Sequence, residues 1–322
     1  MAREPAPLQR QRGLQRVGGR LARHVGWARR QGLGRLLEED QLDPVERIVL
    51  ASQKARWRRT HHIAPNAVPV FVVGVQRSGT NMLVRGLERS PAFEVRNEND
   101  RSAFDRFLLR DDRTIRGIVE GSQHAFVLFK PLCDSHRVAD LLDKLGTPSA
   151  GRAIWAYRAV DGRARSAVGK FGPEGLRALK EVAGGKLDVW QAGGLSDERL
   201  AELRGFDLGS MTPETAAALF WYLRNSLYFD LGLVDREDVL LASYERFVAD
   251  PQRSMGVICG FLGSSYDDRL VGHVDARSAA VDHVEIDPAV RERCEDLHAR
   301  LEAALDASWT RNAGGGAPSS VA

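Results

Sequence analysis

The feature that most constrains this chain is the run Val70-Phe71-Val72-Val73-Gly74-Val75-Gln76-Arg77-Ser78-Gly79-Thr80-Asn81-Met82. A β-branched, apolar stretch breaks at a glycine, crosses polar residues to a second glycine, and continues into the helix-period set Met82, Leu83, Gly86 and Leu87. The pattern predicts strand, tight loop and helix. Such a turn aims several backbone N–H groups and the positive end of a helix dipole at one point, and small residues let an anion come close. It is built to hold phosphate. In the nucleoside-triphosphatase loop, G-x-x-x-x-G-K-[ST], a lysine follows the second glycine and reaches the terminal phosphates. Gly74 and Gly79 keep that spacing, but Thr80 stands in the lysine's place, and the cation of the loop is Arg77.

Further strand, loop and helix units follow. Phe93-Glu94-Val95-Arg96 is a short strand running into an acidic, amide-rich loop, Asn97-Glu98-Asn99-Asp100. In an open parallel sheet, ligands sit outside the carboxyl ends of the strands, so Glu98 should emerge on the edge that carries the anion loop. An ordinary surface glutamate fits the local pattern equally well. Ala125–Phe129 is a continuous apolar run ending in Lys130-Pro131, and Arg152–Tyr157 is a second one ending in Arg158. Both are patterns of buried parallel strands with a cation at the carboxyl end. Asp161-Gly162 turns the chain into a helix carrying Arg163 and Ser166, and Asp238–Glu245 supplies the last strand. The alternation predicts an α/β fold with a central, mostly parallel sheet covered by helices on both faces.

These stretches together resemble the sulfotransferases that use 3′-phosphoadenosine-5′-phosphosulfate (PAPS), over roughly residues 68–305. In that family a Lys or Arg precedes Ser/Thr-Gly-Thr, and here Arg77, Ser78, Gly79, Thr80, Asn81 and Met82 match the loop that holds the 5′-phosphosulfate. Tyr157-Arg158, with Ser166 eight residues after Arg158, is similar to the family's grip on the 3′-phosphate. Tyr244-Glu245-x-Phe247-Val248-x-Asp250-Pro251, ending in Phe261-Leu262-Gly263, resembles its carboxyl-terminal strand and helix. Lys130 resembles the lysine that neutralises the bridging and sulfonate oxygens. The resemblance implies a sulfotransferase variant of the P-loop fold, PAPS as co-substrate and no metal. It also implies transfer to a hydroxyl or amine, with Glu98, Lys130 and Arg77 catalytic and Tyr244 among the nucleotide-binding residues. Phenol and steroid sulfotransferases place a catalytic histidine two residues after the lysine, where this chain has Leu132. Glu98, 21 residues after Arg77, instead matches the spacing of the glutamate base of tyrosylprotein sulfotransferases. Asp100, Asp134 and His136 are the other candidates for that base. The rival readings are a P-loop kinase or nucleotide hydrolase, and a non-catalytic module that binds an adenosine nucleotide.

The 322 residues, 43% of them hydrophobic, suffice for one large domain with appendages. Residues 1–36 hold nine arginines and one acid, Glu4, so residues 1–62 are expected to form a basic helical arm able to touch a surface peripherally. Within it, Asp43-Pro44-x-Glu46 starts a helix. Residues 63–306 would be the catalytic domain, with 171–235 as a helical insertion or lid and 307–322 as a disordered tail. Three scattered cysteines, Cys133, Cys259 and Cys294, provide neither a disulfide framework nor zinc spacing. No apolar run reaches the roughly 18 residues of a membrane span. The expectation is a soluble, cytoplasmic chain without nucleic-acid partners, acting on a small-molecule or glycan acceptor, with a lean toward a carbohydrate or glycolipid hydroxyl.

Overall fold

The computed structural model describes residues 44–61, 66–145, 150–276 and 283–313. The chain divides into two units, 1–55 and 56–322. In the first, the described residues, 44–55, are helical and belong to helix α1 (Pro44–Thr60). Asp43 and the arginine-rich stretch before it lie outside the described residues.

Among its described residues, the second unit has seven strands: β1 (Val68–Gly74), β2 (Phe93–Arg96), β3 (Phe104–Asp105), β4 (Leu108–Leu109), β5 (Phe126–Phe129), β6 (Arg152–Tyr157) and β7 (Val239–Ser243). Five of them form one sheet in the order β2-β5-β1-β6-β7, every neighbouring pair parallel. β3 and β4 make a separate antiparallel hairpin. All the carboxyl ends of the main sheet therefore point to one edge, the edge that carries Val75–Thr80, Asn97, Lys130, Arg158 and Tyr244.

Strand residues alternate between two cores. Val70 and Val72 of β1, Leu128, Ile154 and Leu240 pack with Leu83 and Leu87 of α2 (Thr80–Glu88). Phe71, Val73, Phe129, Trp155 and Leu241 pack on the other side, against the long C-terminal helices. Continuous apolar strands follow because both faces are covered. Each fully buried side chain of this kind contributes about 1.5–3 kcal/mol.

Next in chain order come α3 (Asp112–Glu120), α4 (Val138–Leu145), α5 (Val160–Phe171), α6 (Glu174–Ala183), α7 (Asp197–Arg204) and α8 (Pro213–Asp230). Asp111 caps α3 by accepting the Thr114 N–H at 2.9 Å, and Ser196 and Thr212 cap α7 and α8 in the same way. Within the segment 171–235, expected as an insertion or lid, α8 is a core helix. It is buried from Thr215 to Tyr228, including both Leu219/Leu223 and the second stripe Trp221, Arg224, Asn225 and Tyr228.

α9 (Tyr244–Ala249), α10 (Pro251–Leu262) and α11 (Pro288–Ala313) complete the unit. The sequence places a disordered tail from residue 307, and this is corrected: α11 continues through Ala313. Ser308 is fully buried and the Trp309 indole N–H donates to the Leu241 carbonyl of β7 at 3.0 Å, which holds the last turns against the sheet. The Gly- and Ser-rich composition that suggested disorder begins only after Ala313.

Candidate active site

The anion loop begins where β1 meets β6. Gly74 has φ +121°, and a Cβ there would lie 2.2 Å from the Ala156 carbonyl oxygen, so only glycine allows the two strands this approach. The Ser135 hydroxyl, buried, accepts the Gly74 N–H at 3.0 Å and lies 2.9 Å from the Leu132 carbonyl, to which it donates. Arg77 (φ 74°) and Gly79 (φ 84°) are both left-handed. For arginine that conformation costs on the order of 1–3 kcal/mol, the kind of strain that collects at functional sites. Gly79 caps α2 without any side-chain hydrogen bond, and the first turn of the helix carries no acid. Its N–H groups are thus left to meet an anion. The Ser78 hydroxyl, 2% exposed, has no hydrogen-bond partner. A phosphate or sulfate oxygen in the loop would satisfy it.

Arg158 and Ser166 come to this same loop. A Cβ on Gly79 would lie 2.6 Å from Tyr244 Cδ2, so the absence of a side chain lets the tyrosine ring rest on the turn. The Arg158 guanidinium lies 4.2 Å from the centre of that ring, within cation–π range. On its own side Arg158 runs across Gly162, where an added Cβ would lie 2.8 Å from Nε. Ser166 is one turn further along the same face of α5 as Gly162. Its hydroxyl accepts from Arg77 Nε at 2.9 Å. Four contacts, with the chain itself joining Gly162 to Ser166 and Arg77 to Gly79, close a ring through Gly79, Tyr244, Arg158, Gly162, Ser166 and Arg77. Ser166, acting there as acceptor, keeps its O–H to donate. Glu245 lies 4.0 Å from Arg158 Nε and accepts the Ala159 N–H at 3.1 Å, which anchors the entry to α5.

On the other side of the loop stand Lys130 and Glu98. Lys130, 8% exposed, donates from Nζ to Asn81 Oδ1 at 2.7 Å and pairs with Glu98 Oε2 at 3.4 Å. Burial raises the Glu98 carboxyl above the ordinary glutamate range, and the Lys130 ammonium and a backbone hydrogen bond from Leu132 pull it only part of the way back. A carboxylate of raised basicity beside a lysine and an anion loop can accept a proton from a bound hydroxyl. Of the other base candidates, Asp100 and Asp134 are held in other hydrogen bonds. Asp100 accepts from Arg96 at 2.9 Å and from the Ser102 N–H at 2.9 Å; burial pushes its carboxyl up, but those bonds outweigh it and leave it low. Asp134 accepts the Leu109 N–H of β4 at 2.6 Å. The His136 ring is packed against Gly193 and Gly194, and burial, aided by Arg224, lowers its basicity.

Two supports of the loop have no sequence signal of their own. One is Ser135. The other is Arg163, buried on α5, which donates from Nε to the Gln76 carbonyl at 3.2 Å and from Nη1 to the Ala217 carbonyl at 2.7 Å, tying the loop to α8. Burial, with Arg77 adding to it, pushes that guanidinium down to about 9. Arg163 sits within the same helical pattern as Ser166, but only the partners, 87 and 54 residues away, reveal what it holds.

No protein-family model and no curated protein sequence matches the chain. Solved structures similar to it at low identity include three sulfotransferases or sulfotransferase domains. One is a sulfotransferase from Alicyclobacillus acidocaldarius (17% identity, TM-score 0.41, covering 76% of this chain and 94% of that one). A second is the sulfotransferase domain of the Synechococcus PCC 7002 olefin synthase (18%, 0.38, 79% and 97%). The third is a sulfotransferase domain from the curacin biosynthetic pathway (14%, 0.42, 77% and 96%). Among the described residues, no helix is long and apolar enough to cross a membrane.

Proposed function

We propose that the chain is a PAPS-dependent sulfotransferase that transfers the sulfuryl group to a hydroxyl or amine of its acceptor. The observation that carries this is the closed ring of contacts through which Arg158 and Ser166 meet the Gly79 turn. Contacts of this kind support a reading in which one nucleotide, phosphorylated at both its 5′ and 3′ positions, would be gripped at both ends. Arg77, Ser78, Gly79, Thr80, Asn81 and Met82 would hold the 5′-phosphosulfate, and Arg158, Ser166 and Tyr244 the 3′-phosphate end. The orphaned Ser78 hydroxyl and the uncapped α2 terminus fit such an anion. Three buried free cysteines are in keeping with a reducing, cytoplasmic setting.

PAPS supplies an activated sulfuryl group, whose bond to the phosphate oxygen breaks as the acceptor oxygen or nitrogen bonds to sulfur. Glu98 takes the proton that the acceptor gives up. Lys130 and Arg77 would face the oxygens on which negative charge develops, and the backbone N–H groups of Ser78 to Met82, set by the loop and the start of α2, would stabilise that charge with little reorganisation. Asn81 keeps the Lys130 ammonium at 2.7 Å and so aims it into the loop. The cations take the part that Mg²⁺ plays in phosphoryl transfer.

The test is incubation with labelled PAPS and an acceptor panel in the presence of EDTA, following release of 3′-phosphoadenosine-5′-phosphate (PAP). Acceptor-dependent release is expected without metal. A requirement for Mg²⁺ with ATP as the better donor would instead support a kinase or hydrolase.

A further inference from the structure

Beside the anion loop, at Gln76, lies a cavity of about 170 Å³. Its walls come from α5, α6, α8 and the turn at residues 190–191, and consist mainly of Ala167, Val168, Phe171, Trp190, Ala217 and Phe220. It starts one residue from each half of the Arg77–Ser166 contact, since Gln76 and Ala167 both line it. The Gln76 amide reaches Cys133 Sγ at 3.8 Å, on the segment that follows Lys130 and supplies the backbone hydrogen bond to Glu98. The cavity therefore meets the anion loop at the residue before Arg77, on the α5 side.

We infer that this cavity binds the acceptor and that the acceptor is an uncharged, apolar alcohol or phenol about one ring in size. The inference rests on the sulfotransferase reading above and narrows it. Size gives the first limit. An apolar protein cavity of roughly 150 Å³ accommodates benzene, so a space of this volume takes one ring or a short branched chain. Lining gives the second. The lining is mainly apolar, with Gln76, Arg163, Glu174 and Gln191 as its polar members, so it offers few partners for the several hydroxyls of a sugar, and buried polar groups left without partners oppose binding. Trp190 and Phe220 meet edge to face with centroids 5.8 Å apart, leaving ring surface for a flat apolar body. Phe171, 41% exposed, is an apolar residue that solvent reaches at the same cavity. The Arg163 guanidinium, stacked 5.3 Å from the Phe220 ring centre, donates from Nε to the Gln76 carbonyl and from Nη1 to the Ala217 carbonyl and thereby fixes the wall. This class differs from the carbohydrate or glycolipid hydroxyl toward which the sequence leans.

The experiment compares phenol and benzyl alcohol with glucose as acceptors for the full chain, and measures PAP binding by calorimetry in parallel. Val168→Phe and Ala178→Phe, each at a half-buried wall position, fill the cavity without touching the anion loop. Turnover of the one-ring acceptors and not of glucose is expected, with both variants raising KM for them about tenfold or more and leaving PAP affinity unchanged. Preference for glucose, or an unchanged KM in both variants, would overturn the inference. Weakened PAP binding in both variants would also overturn it, by giving the cavity to the adenine. If the parent chain fails to bind PAP at all, the sulfotransferase reading falls first and this inference falls with it.

Discussion

Glu98→Gln is expected to slow sulfuryl transfer on the order of 10²–10⁴-fold, the usual contribution of a positioned general base, while PAP affinity stays close to that of the parent. The amide keeps the size of the side chain but cannot accept the acceptor's proton. Because burial raises the parent carboxyl and Lys130 compensates only partly, the base form is lost at a higher pH than for a free glutamate. The acid limb of the parent's pH–rate profile should therefore lie above the ordinary glutamate value, with activity falling as pH falls through it. The effect on stability has the opposite sense. A carboxyl whose folded pKa is raised favours the fold most below the unfolded value and loses that contribution as pH climbs to the folded one. At neutral pH, Glu98→Gln is thus expected to raise the thermal midpoint while removing activity. A variant that turns over as fast as the parent would move the role of base to another group.

The second large effect is structural. Gly74→Ala is expected to destabilise the fold by about 2–5 kcal/mol, combining backbone strain with overpacking. The native φ is +121°, and the new methyl would sit 2.2 Å from the backbone oxygen of Ala156, which cannot swing away as a side chain can. Relief requires β1 and β6 to separate at the point where the anion loop begins, so nucleotide binding should weaken as well. Gly169→Ala in α5 is the internal control. Its Cβ would meet nothing within 4 Å, and a helix-interior Gly→Ala change should stabilise by roughly 0.5–1 kcal/mol. Paired denaturant titrations measure both, and a Gly74→Ala midpoint no lower than that of Gly169→Ala would contradict the close strand approach.

Much of the architecture can be read from residue pattern because it depends on local rules. Val70–Val73, Phe126–Phe129 and Arg152–Tyr157 are continuous apolar runs because both sheet faces are covered, and each ends at a glycine or cation where the chain leaves the sheet. The place of Ser166 follows only from the resemblance to the sulfotransferases: Gly162 and Ser166 share a helix face by periodicity, but nothing local says that this face meets the loop. What sequence does not reveal depends on partners far along the chain. Ser135 supports Gly74 across 61 residues, and Arg163 ties Gln76 to Ala217. The β3–β4 hairpin turns through Arg106 and Phe107, both at positive φ, without the Asn-Gly or Asp-Gly signature such turns usually carry. The last turns of α11 escaped notice because the Trp309 bond to β7 outweighs the composition just beyond it.

The central claim is that one loop serves two anion grips, and a ligand comparison tests it most directly. Calorimetric affinities of PAP and of adenosine 5′-monophosphate are measured for the parent and for Arg158→Ala. The parent is expected to bind PAP at least about tenfold more tightly, a charge-assisted grip of modest strength, and Arg158→Ala should erase that advantage while leaving 5′-monophosphate affinity largely intact. Equal affinities for the two ligands in the parent, or an advantage that survives in Arg158→Ala, would contradict the account.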